Sequence, residues 1–332
     1  MTSSARPTKR KLPSSSCTPV SPVSSHSPLN FAAVAAGLGP PIVLTIGNRA
    51  IGAPIHLWND HSDSMSMRDS GWIQMHAETN QEALDLHIQA FRLAEMLSCP
   101  VMVCMDGFIL THAVERVDMP TQAEVDAYLP PFDPRQVLDP AQPVSMGAMV
   151  GPEAFTEVRY LAHHKQMQAL ELIPQLAEEF EQCFGRRSGG LLRGYRAEDA
   201  ETIVVALGSV NGTIQDVVDE MRADGVRVGS VTLTAFRPFP LKALRAAIGH
   251  AQRIVVLEKS LALGLGGILA DGVRKSMSGS QVKGYTVIAG LGGRSITRAS
   301  LRSVLEAAGR DALELVTFLD LNTAVVEREL AR

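Results

Sequence analysis

Thr202-Ile-Val-Val-Ala-Leu207, followed directly by Gly208-Ser-Val-Asn-Gly-Thr213, is the stretch that decides the fold. A short apolar run rich in β-branched residues, bounded by a glycine turn, reads as a buried strand. Thr213 to Asp224 then carries helical spacing, and the alternation continues to the C-terminus. Val226 to Thr234 is a strand, Leu241 to Ile248 a helix and Arg253 to Leu257 a strand. Gly264 to Met277 is a glycine-led helix, Tyr285 to Ile288 a strand and Ser300 to Ala308 a final helix. Strands alternating with helices give a parallel sheet covered on both faces, so residues 190–332 are expected to form a three-layer α/β domain.

The same pattern occurs once upstream. Pro41-Ile-Val-Leu-Thr-Ile46 reads as a buried strand, Asn80 to Ser98 as a helix capped by Asn80, and Pro100-Val-Met-Val-Cys-Met105 as a second strand closed by Asp106-Gly107. Strand, helix, strand at this spacing is a βαβ unit, which requires parallel pairing. Residues 115–152 contain seven prolines and little periodicity, and read as a crossing segment. A long helix is expected from Glu153 to Phe184, carrying Leu161, Met167, Leu170, Ile173, Leu176 and Phe180, with Pro174 as a candidate kink. Gly185-Arg-Arg-Ser-Gly-Gly190 ends it and marks a boundary, so residues 40–189 form the first domain.

Residues 1–39 differ from the rest. The first 30 hold nine Ser, five Pro and the cluster Arg6, Lys9, Arg10, Lys11, and no acidic residue precedes Asp60. Such a composition cannot bury enough apolar surface to offset its ordering entropy, so the segment is expected to be disordered or aberrant. It shares the acid-poor, serine-rich composition of a transit peptide but lacks the amphipathic arginine spacing.

Lys plus Arg number 31 against 35 Asp plus Glu, a net charge of −4, which argues against a dedicated nucleic-acid binder. No apolar run approaches the ~20 residues of a membrane helix. Four cysteines with no CxxC pair support neither a zinc site nor an iron–sulfur cluster on this chain. Any redox carrier is expected on another chain.

Three features are candidates for binding a ligand. Gly208 to Thr213 places backbone N–H groups at a helix N-terminus, where a phosphate could sit, although a capped strand-to-helix turn explains it equally. Gly264-Leu-Gly-Gly267 and Gly290-Leu-Gly-Gly293 mark two loops at the same edge of the sheet, with close backbone packing as the favoured reading. The third runs from Gly47 to Met65. There Arg49 directly follows a buried strand and can clamp a small carboxylate bidentately. Asp60, His61 and Asp63 crowd three titratable groups into four residues, so His61 could titrate near neutrality or ligate a metal. A polar loop with Asx turns accounts for the same residues without a ligand.

Arg49-Ala50, Ala53-Pro54-Ile55 and Trp58-Asn-Asp-His-Ser-Asp-Ser-Met65 resemble the α subunit of pyruvate:ferredoxin (2-oxoacid:ferredoxin) oxidoreductase. In the same order come Asp69-Ser-Gly-Trp-Ile-Gln74, Asn80-Gln-Glu-Ala-Leu-Asp85 and Pro100 to His112. Tyr128-Leu-Pro-Pro131, Leu138-Asp139-Pro140, Gly185-Arg186-Arg187 and Met221-Arg222 follow. Phe236-Arg-Pro-Phe-Pro240 and Ala289-Gly-Leu-Gly-Gly-Arg294 complete the set. The resemblance spans residues 40 to 330.

The resemblance implies a subunit of a thiamine-diphosphate enzyme that decarboxylates a 2-oxo acid oxidatively and hands the acyl group to coenzyme A. Electrons leave through iron–sulfur clusters on other subunits to ferredoxin. It implies β, γ and δ-type partner subunits, thiamine diphosphate with Mg2+ shared with a partner, no nucleic acid or membrane partner, and a cytoplasmic setting. It makes the first domain an incomplete pyrimidine-binding parallel sheet and the second a transketolase C-terminal-like domain. Arg49 matches the family arginine that holds the substrate carboxylate, and Asp60, His61 and Asp63 match a segment near that pocket. Asn48-Arg49 with Ala53-Pro54-Ile55 favours pyruvate over 2-oxoglutarate, whose enzymes carry Gln-Arg and a Gly-Pro-Ser-Thr-Gly run. Branched-chain 2-oxo acids stay open.

The family's upstream Tyr-Pro-Ile-Thr-Pro and Glu-Ser-Glu-His-type segments are not found here, so no catalytic residue is expected on this chain. The glutamate of the second contacts the cofactor pyrimidine and drives its tautomerisation, which needs a positioned carboxylate. The polypeptide as written is therefore expected not to assemble a working thiamine site. Two other readings follow: a non-catalytic remnant that docks on a partner subunit, and a nucleotide-binding α/β module using Gly208 to Thr213.

Overall fold

The computed structural model describes residues 28–332, apart from Ala53, Ile55, Gln136, Leu138 and Ala148. The expectation of disorder over residues 1–39 divides accordingly. Residues 1–27 lie outside the described residues, whereas Pro28–Leu38 is a helix, α1, and there the expectation is corrected. Ala32 and Ala35 are buried against Ile46, Trp72 and Met102, and the Trp72 indole N–H donates to the Ala32 carbonyl at 2.8 Å. That burial offsets the ordering entropy of α1.

The first sheet is built from β1 (Val43–Asn48), β2 (Ile73–His76) and β3 (Val101–Asp106), with α2 (Ser62–Ser66) and α3 (Asn80–Leu97) between them. β3 lies between β1 and β2 and is parallel to both. Flanked on both sides and covered on both faces, it is a continuous apolar run. β2 escaped the sequence reading because all four of its residues, Ile73-Gln-Met-His76, are buried, which erases the period-two signal. Thr79 rather than Asn80 caps α3, its hydroxyl accepting the Glu82 N–H at 3.1 Å.

The proline-rich crossing segment is not devoid of structure. It holds α4 (Gln122–Tyr128), closed by a capping box in which Thr121 and Glu124 satisfy each other's backbone N–H groups. α5 (Phe155–Phe184) continues through Pro174 as one helix. Its buried face, Ala169, Ile173, Leu176 and Phe180, begins at mid-helix, while Leu161 and Met167 are exposed.

The second sheet holds β4 (Leu192–Tyr195), β5 (Thr202–Ala206) and β6 (Val228–Leu233). After β7 (Ala235–Arg237) come β8 (Arg253–Glu258), β9 (Lys283–Ile288) and β10 (Val316–Phe318). The strand order is β10-β9-β8-β5-β6-β4, parallel except for the antiparallel edge strand β4. The helices are α6 (Val210–Ala223), α7 (Leu241–Ile248), α8 (Ile268–Ser276), α9 (Arg298–Gly309) and α10 (Thr323–Leu330), so α9 is not the last. Ile214 of α6 and Leu301 of α9 pack on one face of the sheet; Leu244 of α7 and Leu269 of α8 pack on the other. These are the expected three layers. Gly264 to Gly267 is a loop before α8 rather than its first turn.

β7 belongs by position to the second half of the chain but pairs antiparallel with β2, completing a four-stranded sheet β1-β3-β2-β7 that is not wholly parallel. Successive side chains of a strand face opposite ways. Ala235 accordingly enters the first core, beside Ile73 and Met75, and Phe236 the second, beside Ile203 and Val231. Met65 of α2 crosses in the other direction and is buried in the second core. Side chains of each sheet's elements thus enter the core of the other. Among the described residues no helix is long and apolar enough to cross a membrane.

Candidate active site

The three parallel strands of the first sheet end in buried polar residues: Asn48 on β1, His76 on β2 and Asp106 on β3. Asn48 and Asp106 are paired across the β1–β3 ladder. Facing them, Ser209 follows β5 and Lys259 follows β8, so the carboxyl ends of both sheets converge. In α/β proteins this is the edge where function concentrates, because loops there meet helix N-termini.

Asp106 is the centre of the convergence. It accepts the His61 Nε2 proton at 2.7 Å, the Lys259 ammonium at 2.8 Å and the Ser209 N–H at 2.9 Å, and also the Ser209 hydroxyl. Burial opposes its ionisation, but the charge of Lys259 and the adjoining His61 outweigh it and hold the carboxyl well below the ordinary range. Gly208 permits this approach. Its φ is +73°, and a Cβ there would stand 2.8 Å from an Asp106 oxygen. His76 lies beside His61, with ring centroids 5.3 Å apart, and is pushed down to about 3 by burial and by that neighbour, so it stays neutral.

The phosphate-ready turn is therefore already filled. The Ser209 N–H of the Gly208–Thr213 segment is directed at the carboxylate of Asp106, which occupies the anion position from within the protein. The N-terminus of α8 is filled in the same way: Glu258 accepts the N–H groups of Ile268, Leu269 and Ala270 at 2.7, 2.8 and 3.1 Å. The N–H and hydroxyl of Ser209 are thus not free for the phosphate that the nucleotide-binding reading places here.

The Gly47–Met65 stretch contains both an open and a committed part. Asp63 Oδ2 accepts the Arg49 N–H at 3.3 Å, while Oδ1 is buried with no hydrogen-bond partner. Burial raises the Asp63 carboxyl to about 6, only partly countered by the N–H and charge of Arg49. Arg49 itself is half-buried at the mouth of β1. Asp60 is spent locally, Oδ1 accepting the Ser62 N–H at 2.8 Å in an Asx-type turn. His61 turns inward to Asp106, and among the described residues no group of three or more His, Cys, Asp or Glu is placed to hold a metal ion.

Of the glycine loops, Gly290 to Gly293 abuts the candidate site. A Cβ on Gly292 would stand 2.7 Å from His56 Nε2, and one on Gly293 2.5 Å from the Trp58 Cβ. Two stretches read separately in the sequence are thus one place. Ala53 and Ile55, which carry part of the family resemblance, lie outside the described residues.

Sequence reasoning missed Asp106, Lys259 and His76, and took Ser209 only as part of the Gly208–Thr213 turn. Their signal was present but faint: each stands at or just past the carboxyl end of an apolar strand, where a charged or polar residue has no packing reason to be.

Residues 31–178 match the family described as "Pyruvate flavodoxin/ferredoxin oxidoreductase, thiamine diP-bdg", and residues 200–301 match "Pyruvate:ferredoxin oxidoreductase core domain II". Fold and site thereby define an α/β subunit of the 2-oxoacid oxidoreductases. The chain is 41% identical over 296 residues to pyruvate synthase subunit PorA of Methanosarcina barkeri, covering 86% of this chain and 73% of that protein. It is 39% identical to the PorA subunit of Thermotoga maritima, covering 83% and 71%. With ketoisovalerate oxidoreductase subunit VorA of Pyrococcus horikoshii the identity is 35%, covering 82% and 70%. The chain belongs to the α-subunit (PorA) family of pyruvate:ferredoxin oxidoreductases, enzymes acting on 2-oxoacids. In fold it is similar to 2-oxoglutarate:ferredoxin oxidoreductase from Magnetococcus marinus, with a TM-score of 0.60 at 14% identity, covering 84% of this chain and 50% of that one.

Proposed function

We infer that this chain is the α subunit of a pyruvate:ferredoxin oxidoreductase, and that Arg49 holds the carboxylate of pyruvate. In the reaction the C1–C2 bond of pyruvate breaks, the carboxylate leaves as CO2, and the acyl carbon forms a thioester with coenzyme A. The electron pair passes to ferredoxin and the thiol proton is released. Pyruvate is favoured over a branched-chain acid by the higher identity to pyruvate synthase subunits, 39–42%, than to the ketoisovalerate subunit, 35%.

Thiamine diphosphate, when bound, supplies the nucleophilic carbon that attacks the 2-oxo group and the sink for its electrons. The described residues do not by themselves fit the diphosphate and its cation. The N-termini of α6 and α8 face the carboxylates of Asp106 and Glu258, and no metal-holding cluster is formed among the described residues. We assign the diphosphate and Mg2+ to a partner subunit of β type, and the iron–sulfur clusters to partners of γ and δ type. The role left to this chain is electrostatic. A guanidinium fixed at the end of a buried strand matches a planar carboxylate with two parallel hydrogen bonds. Asp60, His61 and Asp63 form the turn that shapes the pocket beside it. We place the boundary between the pyrimidine-binding part and the transketolase-like part at residues 189 and 190, and the complex in the cytoplasm.

The observation that carries the assignment is the position of Arg49, directly after β1 and tied by its N–H to the half-committed Asp63. The test is turnover by the complex assembled with its partner subunits, measured as coenzyme-A-dependent ferredoxin reduction. Arg49→Ala is expected to lower kcat/KM for pyruvate about 10- to 100-fold, the worth of a charge-assisted bidentate pair, with KM for coenzyme A unchanged. An unaltered kcat/KM for pyruvate would remove the assignment, and a preference for 3-methyl-2-oxobutanoate would redirect it.

A further inference from the structure

Asp106 is more heavily committed than any packing role requires. It is almost fully buried, ionised, and met by donors from two parts of the molecule: His61 from the first, Ser209 and Lys259 from the second. Lys259 reaches the same segment twice, because its carbonyl accepts the His61 N–H at 2.7 Å while its ammonium pairs with the carboxylate that holds the His61 ring. His61 is therefore fixed at its backbone by the residue after β8, and at its ring by a β3 carboxylate that the same residue's ammonium holds. From His61 the connections run on without a gap. The Met65 N–H donates to the His61 carbonyl, the Ser64 N–H to Asn48 Oδ1 at 3.1 Å, and the Arg49 N–H to Asp63 Oδ2. Asn48, the residue before Arg49, is itself paired with Asp106 and accepts the Gly107 N–H at 2.9 Å.

We propose that Asp106 is a positioning residue for Arg49: it holds the Asp60–Asp63 turn through His61, and it makes that geometry depend on the second sheet through Lys259 and Ser209. The site would then exist only when both halves are docked. The inference rests on the assignment of Arg49 to the substrate carboxylate.

A cycle of variants in the assembled complex separates the two. Asp106→Asn keeps the shape but removes the charge that Lys259 needs and turns amide N–H groups toward existing donors. It is expected to raise KM for the 2-oxo acid about tenfold or more, with KM for coenzyme A unchanged. In an Arg49→Ala background the same change is expected to cost less than about twofold, because groups acting through one another are not additive. Losses that multiply, or an unchanged KM for the 2-oxo acid in assembled Asp106→Asn, would overturn the proposal. Arg49→Ala alone leaving kcat/KM intact would instead strike the underlying assignment, since the Asp106 network is whole in that variant. Should Asp106→Asn fail to accumulate, Ser209→Ala removes one donor from the second sheet only. It is expected to give a smaller rise, about threefold, again absorbed by Arg49→Ala. Multiplying losses there would equally refute it.

Discussion

Asp63 carries the clearest pH signature in the molecule. Burial lifts its carboxyl from 3.8 to about 6, and Oδ1 has no partner to stabilise the anion. A folded-state pKa above the unfolded one means that the group's stabilising contribution is complete below about pH 4 and lost as pH rises through about 6. Asp63→Asn should remove that dependence. Relative to the variant, the wild-type melting midpoint is expected to fall between about pH 4 and 6, by the equivalent of at most about 3 kcal/mol. Parallel midpoint curves for the two proteins would contradict the burial argument. At this scale Arg49 and the acidic loop stood out in the sequence because charge beside a strand has no packing explanation. Asp106 and Lys259 did not, because 153 positions separate them and only the tertiary fold brings them to hydrogen-bonding distance.

Among the elements, α4 and α5 show what holds a short helix in a proline-rich stretch. The ring of Tyr128 meets those of Phe180 and Phe184, with the Arg92 guanidinium over it at 4.7 Å, and its hydroxyl donates to the Leu176 carbonyl at 2.9 Å. Tyr128→Phe keeps the ring and is expected to cost about 1 kcal/mol, one hydrogen bond. Phe180→Ala empties a site with no solvent exposure and is expected to cost about 3–5 kcal/mol. Denaturant unfolding of both variants checks the ratio, and equal losses would place the energy in the hydroxyl instead. Long, periodic elements were legible: α3, α5 and α7, and the strands β5, β8 and β9, lie where spacing put them. The short ones were not. β4, β7 and β10 have three or four residues, too few for a period to show, and their pairing is supplied by neighbours distant in the chain.

The whole molecule is held as one body by side chains that cross between the sheets. Met65 is buried in the second core, Ala235 in the first, and the Arg193 guanidinium of β4 pairs with Glu78 and Glu82 of the first half. Met65→Ala is expected to destabilise by about 2–5 kcal/mol while leaving a single cooperative transition, because the lost contacts serve both halves. Calorimetry that resolves two separate transitions, only one of them shifted, would show the cores to be independent. The placement of β7 has a further consequence for how the chain is made. A ribosome delivers β1, β2 and β3 early, but β2 keeps an open flank until residues 235–237 have emerged, more than a hundred and fifty residues later. During that interval the nascent first half carries an unprotected strand edge. Its synthesis and its folding are therefore out of step by design of the topology, and the growing polypeptide has most need of a chaperone before its second half is translated.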